Sequence, residues 1–216
     1  MSTRIARINN FLATVDGRDK LLRLANFGLL FLTKSASPEL TRVLLTITQQ
    51  ISSARLLLRH FGDIPIWSAL IAHLKSKQQS SADRITHWLD TLVLLIYTTF
   101  YPVEHIYWLK SVHLLKGSPN KWLVACISIW ALALVVSILR SNSISATARL
   151  KEELALVLHC CELAVAVNFL PKGILWSSTM PLWKVGGYGL ISTSLMVLNS
   201  YTKCCGQSAK LDRDQE

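Results

Sequence analysis

The chain has 216 residues, 51% of them hydrophobic, and a formal net charge of +10; the length suits one compact domain, but the composition fits a small integral membrane protein better than a soluble one. Five cysteines with neither a CxxC pair nor zinc spacing support no disulfide framework and no metal site. The absence of HExxH, GxSxG, phosphate-loop and paired-carboxylate patterns leaves no catalytic or cofactor-binding residues to name.

The charge is front-loaded, since residues 1–121 hold fifteen Lys and Arg against seven Asp and Glu. Without a finger, a recognition helix or an RNA-stacking motif, that excess points to an anionic membrane surface and not to nucleic acid. No apolar signal core and no N-x-[ST] acceptor supports a secretory route. Met1 to Ala13 is free of acids like a mitochondrial presequence, but Asp16 and Asp19 end that pattern early.

In chain order, Ile5, Ile8, Leu12 and Val15 recur at helical spacing beside Arg4 and Arg7, which predicts a short amphipathic helix ending near Asp16-Gly17. A second helix is expected to start there, capped by Asp16, and to carry Leu21, Leu24, Phe27 and Leu30 toward the break at Ser35 to Pro38. Ser37-Pro38-Glu39 then supplies a capping hydroxyl, a proline tolerated at the first helical position and an acid in the first turn. The helix it opens is predicted over 38–61. At ~100° per residue, Leu40, Val43, Leu44, Ile47, Ile51, Ala54, Leu57, Leu58 and Phe61 fall on one stripe. Arg42, Arg55 and Arg59 lie among the polar remainder. Crossing a bilayer would cost ~2.5–3.5 kcal/mol for each arginine near the centre, so this helix is expected to lie on the membrane. In that reading Leu40, Val43, Leu44, Ile47, Ile51, Leu58 and Phe61 insert while Arg42, Arg55 and Arg59 hold anionic headgroups. The sequence leaves open whether the stripe meets lipid or the chain's own helices.

Ile66, Trp67, Leu70, Ile71 and Leu74 predict a shorter amphipathic helix before a polar linker, Lys75 to Ala82. Asp83 to Leu109 reads as helix; its uncharged section, Thr91 to Val103, would reach only ~20 Å and is expected to pack or dip into one leaflet, kinked near Pro102. Trp122 to Leu139 is free of charge between Lys121 and Arg140, and at ~27 Å long it is expected to cross the membrane. Ala146 to Leu170 is helical by spacing, but Glu162 and His159 interrupt its apolar part, so it is read as an amphipathic helix between crossings, with a third crossing as the alternative. Trp176 and Trp183 flank Pro181 like interfacial anchors. Val185 to Thr202, uncharged between Lys184 and Lys203, is the second expected crossing, and Gly186, Gly187 and Gly189 in its first turns predict close packing on the other crossing or on another copy. Cys204 and Cys205 beyond it are either unmodified or palmitoylated.

The expected architecture is an all-α membrane protein, with amphipathic N-terminal helices followed by two transmembrane helices. Residues 1–121 form a cytosolic region that includes the membrane-binding helix 38–61. Residues 122–139 cross, 140–184 form a helical loop, 185–202 cross back, and 203–216 are a short cytosolic tail.

Several stretches resemble the peroxisomal membrane protein 11 (peroxin 11) family, and within it the gamma type. They are Asp16-Gly17-Arg18-Asp19-Lys20-Leu21, Ser53-Ala54-Arg55-Leu56-Leu57-Leu58-Arg59, Tyr101-Pro102-Val103-Glu104-His105, Leu170-Pro171-Lys172-Gly173-Ile174-Leu175-Trp176 and the terminal apolar run. They follow the family's order over roughly residues 10–202; the segment Lys75 to Ala82 carries no resemblance, and the connector from Arg140 to Leu150 is shorter. The resemblance implies a multi-pass protein of the peroxisomal membrane with both termini cytosolic. It would promote elongation, proliferation and fission of peroxisomes, associate with itself and other family members, and cooperate with a fission adaptor and a dynamin-related GTPase. The family's remodelling helix maps onto Leu40 to Phe61. The alternative function is an oligomeric channel for small metabolites, for which Glu104, His105, His159 and Glu162 would line the pore.

Overall fold

The computed structural model describes residues 2–60, 62–76, 81–142 and 149–213. Among them every regular element is helical: α1 (Ser2–Ala13), α2 (Val15–Leu32), α3 (Pro38–Leu58), α4 (Asp63–Lys75), α5 (Ser81–Ser111), α6 (Asn120–Asn142), α7 (Arg149–Asn168) and α8 (Leu182–Arg213). They belong to two units, one built from Met1–Leu58 and Leu182–Glu216, the other from Arg59–Pro181. Residues 77–80 of the polar linker expected at 75–82, and residues 143–148 after α6, lie outside the described residues.

In the first unit α2 is the hub, with α3, α8 and α1 packed on it. The junction between α1 and α2 falls two residues earlier than the acidic pair suggests. Thr14 is the N-cap, its Oγ1 accepting from the Gly17 N–H (2.9 Å) and donating to the Phe11 carbonyl (2.7 Å). Asp16 sits instead in the first turn, paired with Lys20 one turn on. A Cβ at Gly17 would run into the Phe11 carbonyl, so glycine is what lets the chain turn this tightly. Ser37 caps α3 as expected, accepting from the Leu40 N–H at 3.2 Å. The glycines of α8 do serve close packing, but on α2: a Cβ at Gly186 would overlap the Phe31 backbone, and one at Gly189 the Phe27 ring.

In the second unit α6 lies between α5 and α7. Ala133 and Val136 pack with Ile96, ringed by Leu89, Val93, Tyr97 and Ile129. Ala131 and Leu134 pack with Ala166, beside Trp130 and Leu163. Alanine on both sides of α6 draws the three helices together, and its third face keeps Leu132, Val135 and Leu139 exposed. α5 continues as helix through Pro102, and α4 packs along it.

Among the described residues one helix is long and apolar enough to cross a bilayer, Asn120–Ser141. The second expected crossing, 185–202, does not qualify, so the two-crossing architecture is reduced to one such helix. The physical reason is local: Gly186, Gly189, Ser192 and Thr193 form the face that α8 buries, and such small and hydroxylated residues dilute its apolar content.

Candidate membrane-contact surface

α3 has two distinct faces. The inner one carries Leu44, Thr48, Ile51 and Arg55 and meets α2; Leu44 and Arg55 are each 8% exposed. It is held by polar contacts. Arg55 donates from Nε to Asp19 Oδ1 (2.9 Å) and from Nη2 to Asp19 Oδ2 (3.2 Å), a bidentate pair with both side chains largely buried. One turn back, Ser52 Oγ donates to Asn26 Oδ1 at 3.4 Å, and Asn26 is itself buried in α2. Asp19 and Asn26 are seven residues apart and so share one face of α2, opposite Ser52 and Arg55 on α3.

The outer face is apolar. Leu40 (49% exposed), Val43 (53%), Ile47 (42%) and Leu57 (53%) stand out from the unit, on an arc roughly 100° round the helix from the inner face. Arg42 is exposed on the far side of this arc. The usual arrangement of an amphipathic helix on a folded unit, apolar side in and charged side out, is therefore turned by about a quarter of a circle. α3 docks through an arginine and an amide contact, which leaves most of its apolar stripe outward.

Of the ten residues expected at the membrane, Leu40, Val43, Ile47 and Arg42 are thus exposed together. Leu44 is buried on α2, and Ile51 and Leu58 are half-buried at the edge between the two faces. Arg55 is corrected from a headgroup ligand to a structural one, because its guanidinium is sequestered by Asp19. Arg59 belongs to the second unit, where its Nη2 donates to Glu104 Oε1 at 2.6 Å. Phe61 lies outside the described residues. Periodicity missed Asp19 and Asn26, whose matching spacing on α2 was the available signal.

A cation–aromatic cluster lies in the same unit. Lys34, just beyond α2, and Lys184, in the first turn of α8, each place their ammonium over the Trp183 ring, at 5.0 and 5.6 Å from its centroid. The expected anchor Trp183 is therefore one ring shared by two cations, the residue pairing common at membrane interfaces. In the second unit, Trp176 donates from Nε1 to the Ala164 carbonyl at 3.1 Å and remains partly exposed beside Leu175.

Two of the four residues named for a channel are otherwise engaged, and a third is buried. Glu104 is paired with Arg59, and His105 Nε2 lies 2.9 Å from the His60 carbonyl oxygen. Glu162 is 1% exposed within α7.

A family model described as Peroxisomal biogenesis factor 11 (PEX11) matches residues 5–146 of the chain. The chain is also similar to Peroxisomal membrane protein 11C of Homo sapiens, at 27% identity over 216 residues that cover 85% of this chain and 89% of that protein. Peroxisomal membrane protein 11C of Mus musculus is 26% identical over 228 residues, covering 90% and 92%. No solved structure matches.

Proposed function

The chain belongs to the peroxisomal biogenesis factor 11 family, and from that premise we propose that it remodels the peroxisomal membrane, promoting elongation, proliferation and fission of the organelle by inserting the outer face of α3 into the cytosolic leaflet. The observation that carries this reading is the outward stripe of Leu40, Val43, Ile47 and Leu57 on a helix fastened to its unit by Asp19 and Arg55. Those four side chains, about half exposed now, would contribute roughly 3–6 kcal/mol on entering acyl chains. Arg42 adds about 1 kcal/mol on an anionic surface, so apolar insertion dominates. A helix sunk ~5–10 Å into one leaflet expands it relative to the other, and the bilayer curves to accommodate the difference.

α6 roots the protein in the membrane, and the basic excess ahead of it keeps the N-terminal half, α3 included, on the cytosolic side. Curvature made here prepares the membrane for scission by a dynamin-related GTPase, recruited through a fission adaptor and assisted by self-association and by other family members. The test is reconstitution of the full chain in phosphatidylcholine and phosphatidylserine vesicles, with tubules scored by electron microscopy. The V43D/I47D double variant is expected to incorporate normally and to lose tubulation; undiminished tubules would overturn the proposal. A tagged copy imaged beside a peroxisomal marker should lengthen the organelle on overexpression, and the double variant should not.

A further inference from the structure

The second unit separates charge along its helices. α4 and α5 are antiparallel: the Gly62 backbone abuts the Tyr101 ring at one end, and at the other His73 stacks on His87 (4.1 Å) with its Nε2 3.1 Å from Thr91 Oγ1. α5 is antiparallel to α6, with Arg140 Nε donating to Asp90 Oδ1 (2.6 Å) and Ile96 lying against Ala133 and Val136. α7 is antiparallel to α6 in turn, through Arg140 and Glu152 (3.7 Å) and through Ala166 against Ala131 and Leu134. This register gathers Lys75, Asp90, Arg140 and Glu152 at one end of the unit and Asp63, Glu104 and Lys121 toward the other. Between them α4, α5 and α6 carry no Asp, Glu, Lys or Arg, and α7 carries only the buried Glu162.

Two open stripes with the same spacing run along these helices; that of α4 lies within the charge-free belt, and that of α5 starts beyond Asp90 and enters the belt at Leu92. α4 presents Ile64, Trp67, Ile71 and Leu74; α5 presents Ile85, Trp88, Leu92 and Leu95. All eight are between 44% and 65% exposed. In each helix the stripe lies about a third of a turn from the side that meets the other helix, in the same rotational sense. In an antiparallel pair equal offsets open to the same side, so the two stripes form one face. Hydroxyls along the belt bond back into their own helices: Thr91 to the His87 carbonyl, Thr98 to Leu94, Thr99 to Ile96 and Ser137 to Ala133, all within 2.8 Å. That is how a helix satisfies polar groups where no water is present.

We infer that the joint outer face of α4 and α5 contacts lipid acyl chains at the depth of α6, so that the second unit enters the bilayer as a group of helices and not through α6 alone. The inference rests on the reading of α6 as a crossing. If the belt of α6 lies in hydrocarbon, Leu92 and Leu95 lie there too, because Ile96 and Asp90 fix α5 beside Ala133 and Arg140. An aqueous setting would leave an apolar face with two tryptophans uncovered, which soluble proteins avoid. The uncharged runs of α4 and α5 are only ~16–20 Å long against ~27 Å for α6, a mismatch that a bilayer meets by local thinning.

The unmodified full chain, reconstituted in phosphatidylcholine and phosphatidylserine vesicles containing a phosphatidylcholine with a mid-chain diazirine, is irradiated and its adducts mapped. Adducts are expected on Trp67 to Leu74 and Leu92 to Leu95 at a yield comparable to that on Leu132 to Leu139. Adducts on α6 without any on α4 and α5 would overturn this inference and leave the crossing intact, whereas a chain unlabelled on α6 as well would overturn both. Nitroxide labels at Leu95 and Leu132 in a cysteine-free background provide the second reading, with depths expected to agree within about one helical turn, ~5 Å. Access of nickel to Leu95 would place it in water. Shielding of Leu95 from both oxygen and nickel would mean that protein, such as a second copy, covers it; either result overturns the inference.

Discussion

The two units sort their charges in different directions. In the first, polarity runs around α3: Arg55 faces inward to Asp19, Leu40, Val43 and Ile47 face outward, and Arg42 flanks them. In the second, polarity runs along the helices, with Asp90, Arg140 and Glu152 joined at one end and Arg59 and Glu104 paired toward the other. A helix lying in one leaflet meets water on one side and lipid on the other, so its residues must differ round the axis. A helix that runs through the hydrocarbon meets lipid on all open sides and water at its ends, so its residues must differ along the axis. On the proposed reading, the difference separates a surface that would bend a membrane from one that would hold the protein in it.

The axial pattern should break first and hardest. Ala133→Arg puts a cation at a position with no exposure, in the middle of the α6 belt. It should cost at least ~2.5–3.5 kcal/mol of insertion free energy, read as transfer of the protein from the carbonate-resistant pellet to the supernatant. Full retention in the pellet would show that α6 does not hold the chain in the membrane. The lateral pattern depends on a single ion pair. Asp19→Asn removes the charged partner of a largely buried guanidinium and should weaken α3 docking by about 1.5–3 kcal/mol. The measurement is hydrogen exchange at α3 amides, where unchanged protection would mean that Leu44 and Ile51 suffice to hold the helix.

What could be read from the sequence follows the same division. Axial segregation is a property of consecutive residues, so the uncharged run from Trp122 to Leu139 announces α6 directly. Lateral segregation requires knowing what each face meets. The periodicity of α3 shows which side is apolar, but not that Arg55 would find Asp19 on another helix, 36 residues away. The glycines of α8 signal a close neighbour for the same reason without naming it, and the neighbour is α2, whose first half is too charged to resemble a membrane helix. The uncharged run from Val185 to Thr202 reads as a crossing by its lack of charge, but its glycines, serines and threonines leave it short of the apolar content of α6. The matched stripes of α4 and α5 are visible in the sequence as spacing, but their common side emerges only from the antiparallel contact at His73 and His87.

The packing of α8 allows a finer comparison inside the first unit. Gly186→Ala drives its Cβ into the Phe31 backbone, which cannot move without moving α2, whereas Gly189→Ala meets the buried Phe27 side chain, which has to change its χ1 angle to give way. Overpacking of this kind costs ~1–3 kcal/mol, so Gly186→Ala should lie at the upper end of that range and Gly189→Ala at the lower. Denaturant unfolding in detergent, followed through exchange at α2 amides, measures the difference. Equal effects would mean that α2 and α8 separate as freely at one glycine as at the other.

The smallest effect belongs to Arg42, the exposed arginine that flanks the outer face of α3. Its attraction to an anionic surface is worth about 1 kcal/mol, so Arg42→Gln should weaken α3 engagement about fivefold at low salt. The loss should shrink as salt screens the charge, and it should vanish on vesicles made only of phosphatidylcholine. Val43→Asp, in contrast, should weaken engagement on both kinds of vesicle and at every salt concentration, since it removes apolar contact. An environment-sensitive dye on α3 of the full chain, compared across the two lipid mixtures, separates the terms. If Arg42→Gln proved as damaging as Val43→Asp, headgroup charge and not the apolar stripe would set how firmly α3 enters the leaflet.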